Sequence, residues 1–390
     1  MVRALVLAAQ GLLLGLIGYN AITALWGWRD RDPEERGSRR QRLRVVVPAH
    51  DEAAVIGGIV GDLLLSDYPG DAFAIWVIAD RCSDATAAVA AAMGASVVER
   101  SDGVDDKGAA LAWHLDELPL HDDEALVVFD ADNRIGPDVL GRIADELDAG
   151  HQVVQCYLDV ANPDDSMLTT AAALSYWASN RMVQLARTNL GWSADLGGTG
   201  MAFTAESLAA VGGLAPSLTE DQELLARLAH TGISVTWLHD VKIYDEKPLG
   251  VAAAVTQRAR WMSGKRAVAR THLGPLWKEA LARRSPAAFD VGLRLIQPSR
   301  MFVALVSGVL AVLAIGTRSS WLLTWPVWAA AAAIQLLEPI PFLAKDGVSG
   351  RYLVRYPLLA GLAALWLPIR VLSARRRQWR RTEHRGHEEA

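Results

Sequence analysis

Two carboxylates stand one residue apart in Val127-Val128-Phe129-Asp130-Ala131-Asp132, at the end of an apolar run. On an extended segment, side chains at i and i+2 point the same way, so these two repel each other. A divalent cation removes that repulsion, and hard oxygen ligands suit Mg²⁺ or Mn²⁺. Mg²⁺ takes one or two protein carboxylates and completes its shell with phosphate and water. A solvated turn also explains D-x-D on its own. Acidic groups follow two other apolar runs, in Pro48-Ala49-His50-Asp51-Glu52 and in Ala79-Asp80-Arg81-Cys82-Ser83-Asp84. Asp51 could simply cap a helix there. In Asp105-Asp106-Lys107-Gly108 a lysine opens a helical stretch and opposes the helix dipole. That placement is unfavourable unless an anion such as a phosphate or carboxylate binds beside it. Further on come Gly197-Gly198-Thr199-Gly200-Met201, Thr219-Glu220-Asp221 and Gln257-Arg258-Ala259-Arg260-Trp261. A turn, a helix cap and an amphipathic helix face account for them singly. Their joint occurrence in this order asks for a common cause.

The elements that must hold these groups are readable as well. LRVVVPA, AFAIWVIAD, ASVVER, ALVVFDAD and HQVVQCYLD are strand candidates, rich in valine, isoleucine and aromatic residues. Alanine- and leucine-rich helical stretches lie between them, at Glu52 to Leu65, Thr86 to Met93 and Lys107 to Leu115. Strands alternating with helices predict an α/β domain with a mostly parallel sheet, covered on both faces. Ligands of such sheets bind beyond the carboxyl ends of the strands, where the polar groups above fall. No G-x-x-x-x-G-K-[ST] or G-x-G-x-x-G loop occurs, which argues against a P-loop ATPase or a dinucleotide oxidoreductase.

Composition places this domain at a membrane. The 390 residues are 51% hydrophobic and 21% charged, and mean hydropathy is +0.16, which excludes a disordered chain. At roughly 150 residues per domain, two or three structural units are expected. Two cysteines, Cys82 and Cys156, are too few for a disulfide scaffold and fit a reducing compartment. A net charge of −5 argues against a nucleic-acid partner. Residues 4–26 carry no charge, long enough for a transmembrane helix and too long for a signal peptide. Seven arginines follow between Arg29 and Arg44, which predicts that the main body is cytoplasmic. Residues 301–317 and 319–337 are uncharged around Arg318 and read as a helical hairpin. The run Tyr356 to Ile369 holds fourteen uncharged residues, where a re-entrant segment competes with a full span. The basic tail after Arg370 favours two C-terminal spans plus a non-crossing element, because three would put the tail outside. The expected layout is therefore an N-terminal transmembrane helix (1–28), a basic cytoplasmic linker (29–42) and a catalytic domain (43–270). An interfacial helical region (271–300), a membrane region (301–374) and a basic cytoplasmic tail (375–390) follow.

Asp80, the D-x-D of Asp130 and Asp132, the T-E-D ending at Asp221, and the Q-x-x-R-W of Gln257, Arg260 and Trp261 together resemble one family. They are the signatures of membrane-bound family 2 glycosyltransferases, the inverting GT-A group of cellulose, hyaluronan and poly-N-acetylglucosamine synthases, shared by ceramide-type glucosyltransferases. The resemblance spans about Arg44 to Gly264. It implies a UDP-sugar donor, Mg²⁺ or Mn²⁺, and a multi-pass enzyme of the cell (inner) membrane. Asp80 would contact the base or ribose beside the loop of Pro48, His50 and Glu52, and Lys107 the uracil or diphosphate. Asp132, and less directly Asp130, would hold the metal, with Gln257, Arg258 and Arg260 on the donor side. Asp221 would be the general base with Glu220 alongside. Trp261 and the segment Gly198, Thr199, Gly200, Met201 would line the acceptor end.

The chemistry fits those roles. A metal and an arginine stabilise a diphosphate leaving group more as its charge grows, which is what catalysis needs. A carboxylate must sit within reach of the attacking hydroxyl, and a sugar face packs on indole. The expected reaction moves glucose or N-acetylglucosamine to a polysaccharide in exopolysaccharide synthesis. The alternative is transfer of one sugar to a membrane lipid, ceramide or diacylglycerol. Polymer synthases often carry a cysteine in the segment matched by Gly198 to Met201, and this chain has none, which weakens the polymer reading.

Overall fold

The computed structural model describes residues 2–32, 41–104, 106–214, 217, 219–317 and 319–358. Asp105, Arg318, most of the basic linker, nearly all of Tyr356 to Ile369 and the basic tail lie outside these residues. Eight strands form one sheet: β1 (Arg42–Ala49), β2 (Phe73–Asp80), β3 (Ser96–Arg100), β4 (Glu124–Val128), β5 (Arg134–Ile135), β6 (Val153–Val160), β7 (Met201–Thr204) and β8 (Val235–Asp245). Their order is β3-β2-β1-β4-β7-β6-β8-β5. All five strands expected from the sequence are present. Val45, Val46 and Val47 are each fully buried, because β1 sits between neighbours and under helices on both faces.

β1 pairs in parallel with β2 and β4, β2 with β3, and β6 with β8. β7 runs antiparallel to β4 and β6, and β5 antiparallel to β8. The sheet is therefore mixed, with six strands pointing one way. The two reversed strands are four and two residues long, too short for a periodic pattern to show them in sequence.

Strand order reverses between β1 and β4. The β1–β2 ladder continues to Ala49↔Ala79, whereas the β1–β4 ladder stops at Val46↔Val128. A crevice opens there, at the carboxyl edge of the sheet, the position where open α/β sheets bind ligands. Pro48, which has no N–H to donate, occupies the stretch of β1 that β4 no longer pairs.

Helices cover both faces. Ile56–Leu64 and Val139–Asp148 pack on one through Ile56, Ile59, Leu63, Leu140 and Ile143. Lys107–Glu117, Glu220–Thr231, Val251–Arg283 and Pro286–Ile296 pack on the other, through Leu111, Leu224, Leu225, Leu228, Val268, Leu276 and Leu295. Val251–Arg283 runs straight through the boundary expected at residue 270. The stretch beyond it returns to the domain, where Leu276, Val291 and Leu295 join the core on that face.

Among the described residues, three helical segments are long and apolar enough to cross a membrane: Val2–Trp28, Arg300–Thr317 and Trp325–Lys345. The Gln10 side chain joins the first to the connection between the other two, donating to Trp321 O at 2.8 Å and accepting from Leu323 N at 2.9 Å. At the other end Asp30 accepts from Lys345 Nζ at 2.7 Å and from Arg181 Nη2 at 2.9 Å. The ends of the first and third apolar segments thus meet beside the α/β domain.

Tyr19 of the first segment donates to Asp290 Oδ1 at 2.7 Å. Asp290 is fully buried, 3.3 Å from Arg187 Nη2 and 2.9 Å from Arg294 Nε. One buried carboxylate therefore bridges two buried guanidinium groups, of which Arg294 also pairs with Asp195, and anchors the helix. Removing one partner of a buried ion pair typically costs about 3–5 kcal/mol, since the remaining charge stays desolvated. Asp290→Leu should lower stability by about that amount, read as a falling thermal midpoint in detergent. An unchanged midpoint would show that the cluster contributes nothing.

Candidate active site

The D-x-D turn starts where β4 leaves β1. Phe129 N still donates to Val46 O at 3.2 Å. The next amide, Asp130 N, donates to Asn133 Oδ1 at 3.0 Å and Thr199 Oγ1 at 2.9 Å. The Thr199 hydroxyl in turn donates to Asn133 Oδ1. The Asn133 and Thr199 side chains thus fix the backbone of the turn, and Asn133 Nδ2 also donates to Asp132 Oδ1 at 3.4 Å. The β5–β8 ladder pairs Arg134 with Tyr244 and Ile135 with Ile243. One more step places Asn133 opposite Asp245, so the end of β8 lies against the turn.

Acidic charge accumulates here. Burial, then the charges of Asp130, Asp245 and Glu52, push the Asp132 carboxyl up to about 8. Burial raises Asp245 as well, despite Lys247 Nζ at 2.5 Å from its Oδ2. Lys107 pairs with Asp130. Asp132 therefore sits in a pocket with more negative charge than its lysines balance, which fits oxygen ligation of a divalent cation by Asp132 and Asp130.

Lys107 resolves the anomaly seen in the sequence. Asp106 caps its helix, accepting from Ala109 N at 3.1 Å. Lys107 Nζ donates to Asp130 Oδ1, and to Gly198 O at 2.8 Å. Burial alone would lower its pKa, but Asp130, Glu220 and Asp221 outweigh burial and raise it. The anion that offsets a lysine at this helix start is supplied by the protein itself, and one cation joins the D-x-D to the glycine loop and balances charge of the acidic pair.

The glycine loop has little freedom. Gly198 and Gly200 have φ of 87° and 61°, a region that favours glycine. A Cβ at Gly200 would lie 2.8 Å from Ile243 Cγ1. Gln155, fully buried in β6, donates from Nε2 to Thr199 O at 2.8 Å, and its Oε1 accepts from Gly197 N at 2.8 Å. Neither Gln155 nor Asn133 stood out in the sequence, although a glutamine inside VVQCYLD was the available signal. The segment does not present all four residues outward. Thr199 and Met201 are each 2% exposed, Thr199 holding the D-x-D turn and Met201 joining the core. Gly198 faces the acidic pair, since a Cβ there would lie 3.9 Å from Glu220 Oε1.

Glu220 and Asp221 open the helix Glu220–Thr231, packed on Val251–Arg283. The approach is close at Gly264, where a Cβ would lie 2.4 Å from the Thr219 side chain. Arg260 stands one helical turn before Gly264, on the same face, and its positive charge lowers the Asp106 carboxyl against the larger, raising effect of burial. Among the described residues, the side chains of Gln257, Arg260 and Trp261 make no hydrogen bond or ion pair with the protein, and Trp261 is 36% exposed. Arg258 points elsewhere, toward Tyr176, with burial lowering its pKa. Burial raises both acids of the pair, Glu220 to about 7, with Asp221 and Asp130 adding to Glu220 and Asp195 to Asp221.

On the β2 side, Asp80 is 5% exposed and bound by Arg100 Nη1 at 3.0 Å and Arg81 Nη2 at 2.7 Å. His50 Nδ1 lies 2.6 Å from Asp80 O. Asp51, Cys82 and Asp84 place ligand atoms within 4.8 Å of one another. The Asp51 carboxylate is already taken by Ser83 N at 2.6 Å and Asp84 N at 3.2 Å, and burial raises the Cys82 thiol. This trio clamps the first two strand ends together.

A model of the glycosyltransferase-like family 2 matches residues 41–264. A β-monoglucosyldiacylglycerol synthase of Trichormus variabilis is 26% identical over 65% of this chain and 55% of its own length. One of Synechocystis is 28% identical over 56% of this chain and 47% of its own. A probable glucomannan 4-β-mannosyltransferase of Arabidopsis thaliana is 23% identical over 60% and 44%. The chain spans about half the length of the curated relatives it matches. Among solved structures, a mannosyltransferase from Pyrobaculum calidifontis in complex with GDP-Man and Mn²⁺ has a TM-score of 0.54 at 20% identity, covering 96% of this chain and 95% of its own. With more than half of its length matched, and with acidic groups gathered at the crevice of a mixed α/β sheet, the chain belongs to glycosyltransferase family 2 and has the GT-A fold.

Proposed function

We propose that this enzyme transfers a single hexose, glucose in the first instance, from a UDP-sugar to a membrane lipid of the diacylglycerol type, inverting the anomeric carbon. The observation that carries the reaction is the convergence of Asp130, Lys107, Gly198 and the Glu220–Asp221 pair at one sheet edge. The acceptor rests on the relatives named as β-monoglucosyldiacylglycerol synthases, which favour a lipid over the polysaccharide expected from the sequence. The mannosyltransferase relative keeps a polysaccharide acceptor as the second reading. The apolar segments and the arginines before β1 support a multi-pass protein of the cell membrane with its catalytic domain in the cytoplasm.

In this reading the donor lies in the crevice between β1 and β4. The loop of Pro48, His50 and Glu52 and the Asp80 strand end flank its nucleoside. Asp132 and Asp130 hold Mg²⁺ or Mn²⁺, which as a Lewis acid offsets charge on the diphosphate. Arg260 and Lys107 face the same phosphates, with Gln257 beside them, whereas Arg258 turns toward Tyr176. Asp221 accepts the proton of the acceptor hydroxyl, Glu220 holds the adjacent charge, and Trp261 packs against the sugar. The hydroxyl oxygen then bonds to the anomeric carbon from the face opposite the departing UDP, giving a β-linkage from an α-linked donor.

Chelation by EDTA, or Asp132→Asn, should abolish turnover, and added Mn²⁺ should rescue only the chelated wild type. Full turnover in EDTA would exclude the metal role. Asp221→Asn keeps the shape of the side chain but cannot take the proton. UDP affinity should survive, while turnover should fall by about 10²–10⁴-fold, as for loss of a general base. A helix cap predicts little change instead, because asparagine caps as well as aspartate. For the acceptor, purified protein in vesicles containing diacylglycerol, given UDP-glucose, should yield one added hexose mass on lipid. A ladder of longer products would return the polysaccharide reading.

A further inference from the structure

Behind the acidic pair, four titratable side chains form an unbroken line between two helices. Glu223 Oε1 lies 2.9 Å from His272 Nε2. His272 Nδ1 lies 3.2 Å from His230 Nε2, and His230 Nδ1 lies 2.8 Å from Glu279 Oε2. Glu223 and His230 belong to Glu220–Thr231, and His272 and Glu279 to Val251–Arg283, so the line crosses the helix interface three times. All four side chains are partly buried, from 12% exposed for His272 to 26% for Glu223. The remaining charge facing them is Arg283, with Nη2 2.9 Å from Glu279 Oε1 and Nη1 3.4 Å from His230 O.

Counting protons defines the state of this line. Ionised carboxylates only accept, so both outer ring nitrogens must carry hydrogen. Two neutral imidazoles would then turn lone pairs toward each other across the central contact. One additional proton between the rings turns that repulsion into a hydrogen bond, and the two flanking carboxylates balance its charge. Glu223 is two residues from Asp221, and His272 is two helical turns beyond Gly264, the point of closest approach to Thr219.

We infer that His230 and His272 are positioning residues for sugar transfer, holding as a proton-sharing pair the acidic first turn of one helix against the helix that carries Arg260 and Trp261. The inference rests on the roles proposed above for Asp221 and Arg260.

The test compares two substitutions at one position in the full-length protein in detergent. Glutamine at 272 can give one amide hydrogen to Glu223 and the other to the lone pair of His230 Nε2 without any additional proton, whereas leucine can do neither. His272→Leu should lower kcat about tenfold, as loss of about 1.4 kcal/mol of alignment would, with KM for UDP-glucose within twofold of wild type. His272→Gln should restore most of kcat. Equal kcat for wild type and His272→Leu, or a rise in KM that accounts for the whole loss, would overturn the inference. So would failure of His272→Gln to restore kcat while its thermal midpoint matches wild type. Because leucine and glutamine are compared at one position, the result stands whether or not Asp221→Asn confirms the base.

Discussion

One ammonium group holds the site together. Lys107 Nζ binds a D-x-D carboxylate and a glycine-loop carbonyl, and its charge is felt by both members of the acidic pair. Without it, Asp130, Asp132, Asp245, Glu220 and Asp221 would crowd one crevice with few compensating charges, at a cost that burial multiplies. With it, the crevice is still short of positive charge, and the deficit is concentrated at Asp132. In the proposed reading, Asp132 and Asp130 would hold a divalent cation at this under-neutralised site, and the cation would supply positive charge toward a nucleoside diphosphate.

The supports around this hub are mostly uncharged. Asn133 and Thr199 fix the D-x-D backbone, Gln155 fixes the glycine loop, and Gly264 allows the arginine helix to reach Thr219. Each satisfies or makes room for backbone without adding charge, leaving the charged groups to face ligands. Gln257, Arg260 and Trp261 contrast with them, having no hydrogen-bonded partner within the protein among the described residues. In the proposed reading these are the groups left to engage the donor and the acceptor.

The strands were legible because β1, β2, β4 and β6 are long and rich in β-branched residues, and the strand-end rule then located the crevice. β7 was not legible, since four residues after a glycine turn carry no periodicity, and without β7 the sheet reads as more parallel than it is. The chemistry-bearing types were visible as motifs, but orientation was not. Thr199 and Met201 sit in the same motif as Gly198 yet turn inward, because consecutive residues entering a strand alternate faces and the loop lies against β6. The Glu223–His272–His230–Glu279 line was invisible for another reason. Its members lie up to 56 residues apart in sequence, and only the packing of two helices aligns them.

The contacts that dock the first apolar helix also reach the site. Tyr19 holds Asp290, Asp290 lies against Arg294, and Arg294 grips Asp195 and donates to Ser193 O at 2.7 Å. Asp195 is two residues before Gly197, and its amide is held by Gln184 Oε1 at 2.8 Å. A continuous set of buried, charge-assisted contacts therefore runs from an apolar helix to the loop that faces Glu220. Contacts of this kind are stronger than neutral ones and hold a fixed geometry. The loop is thereby set at a constant distance from whatever surface the helix occupies. In the proposed reading, an acceptor whose hydroxyl is presented at a fixed depth by its own acyl chains would meet that loop at a constant height.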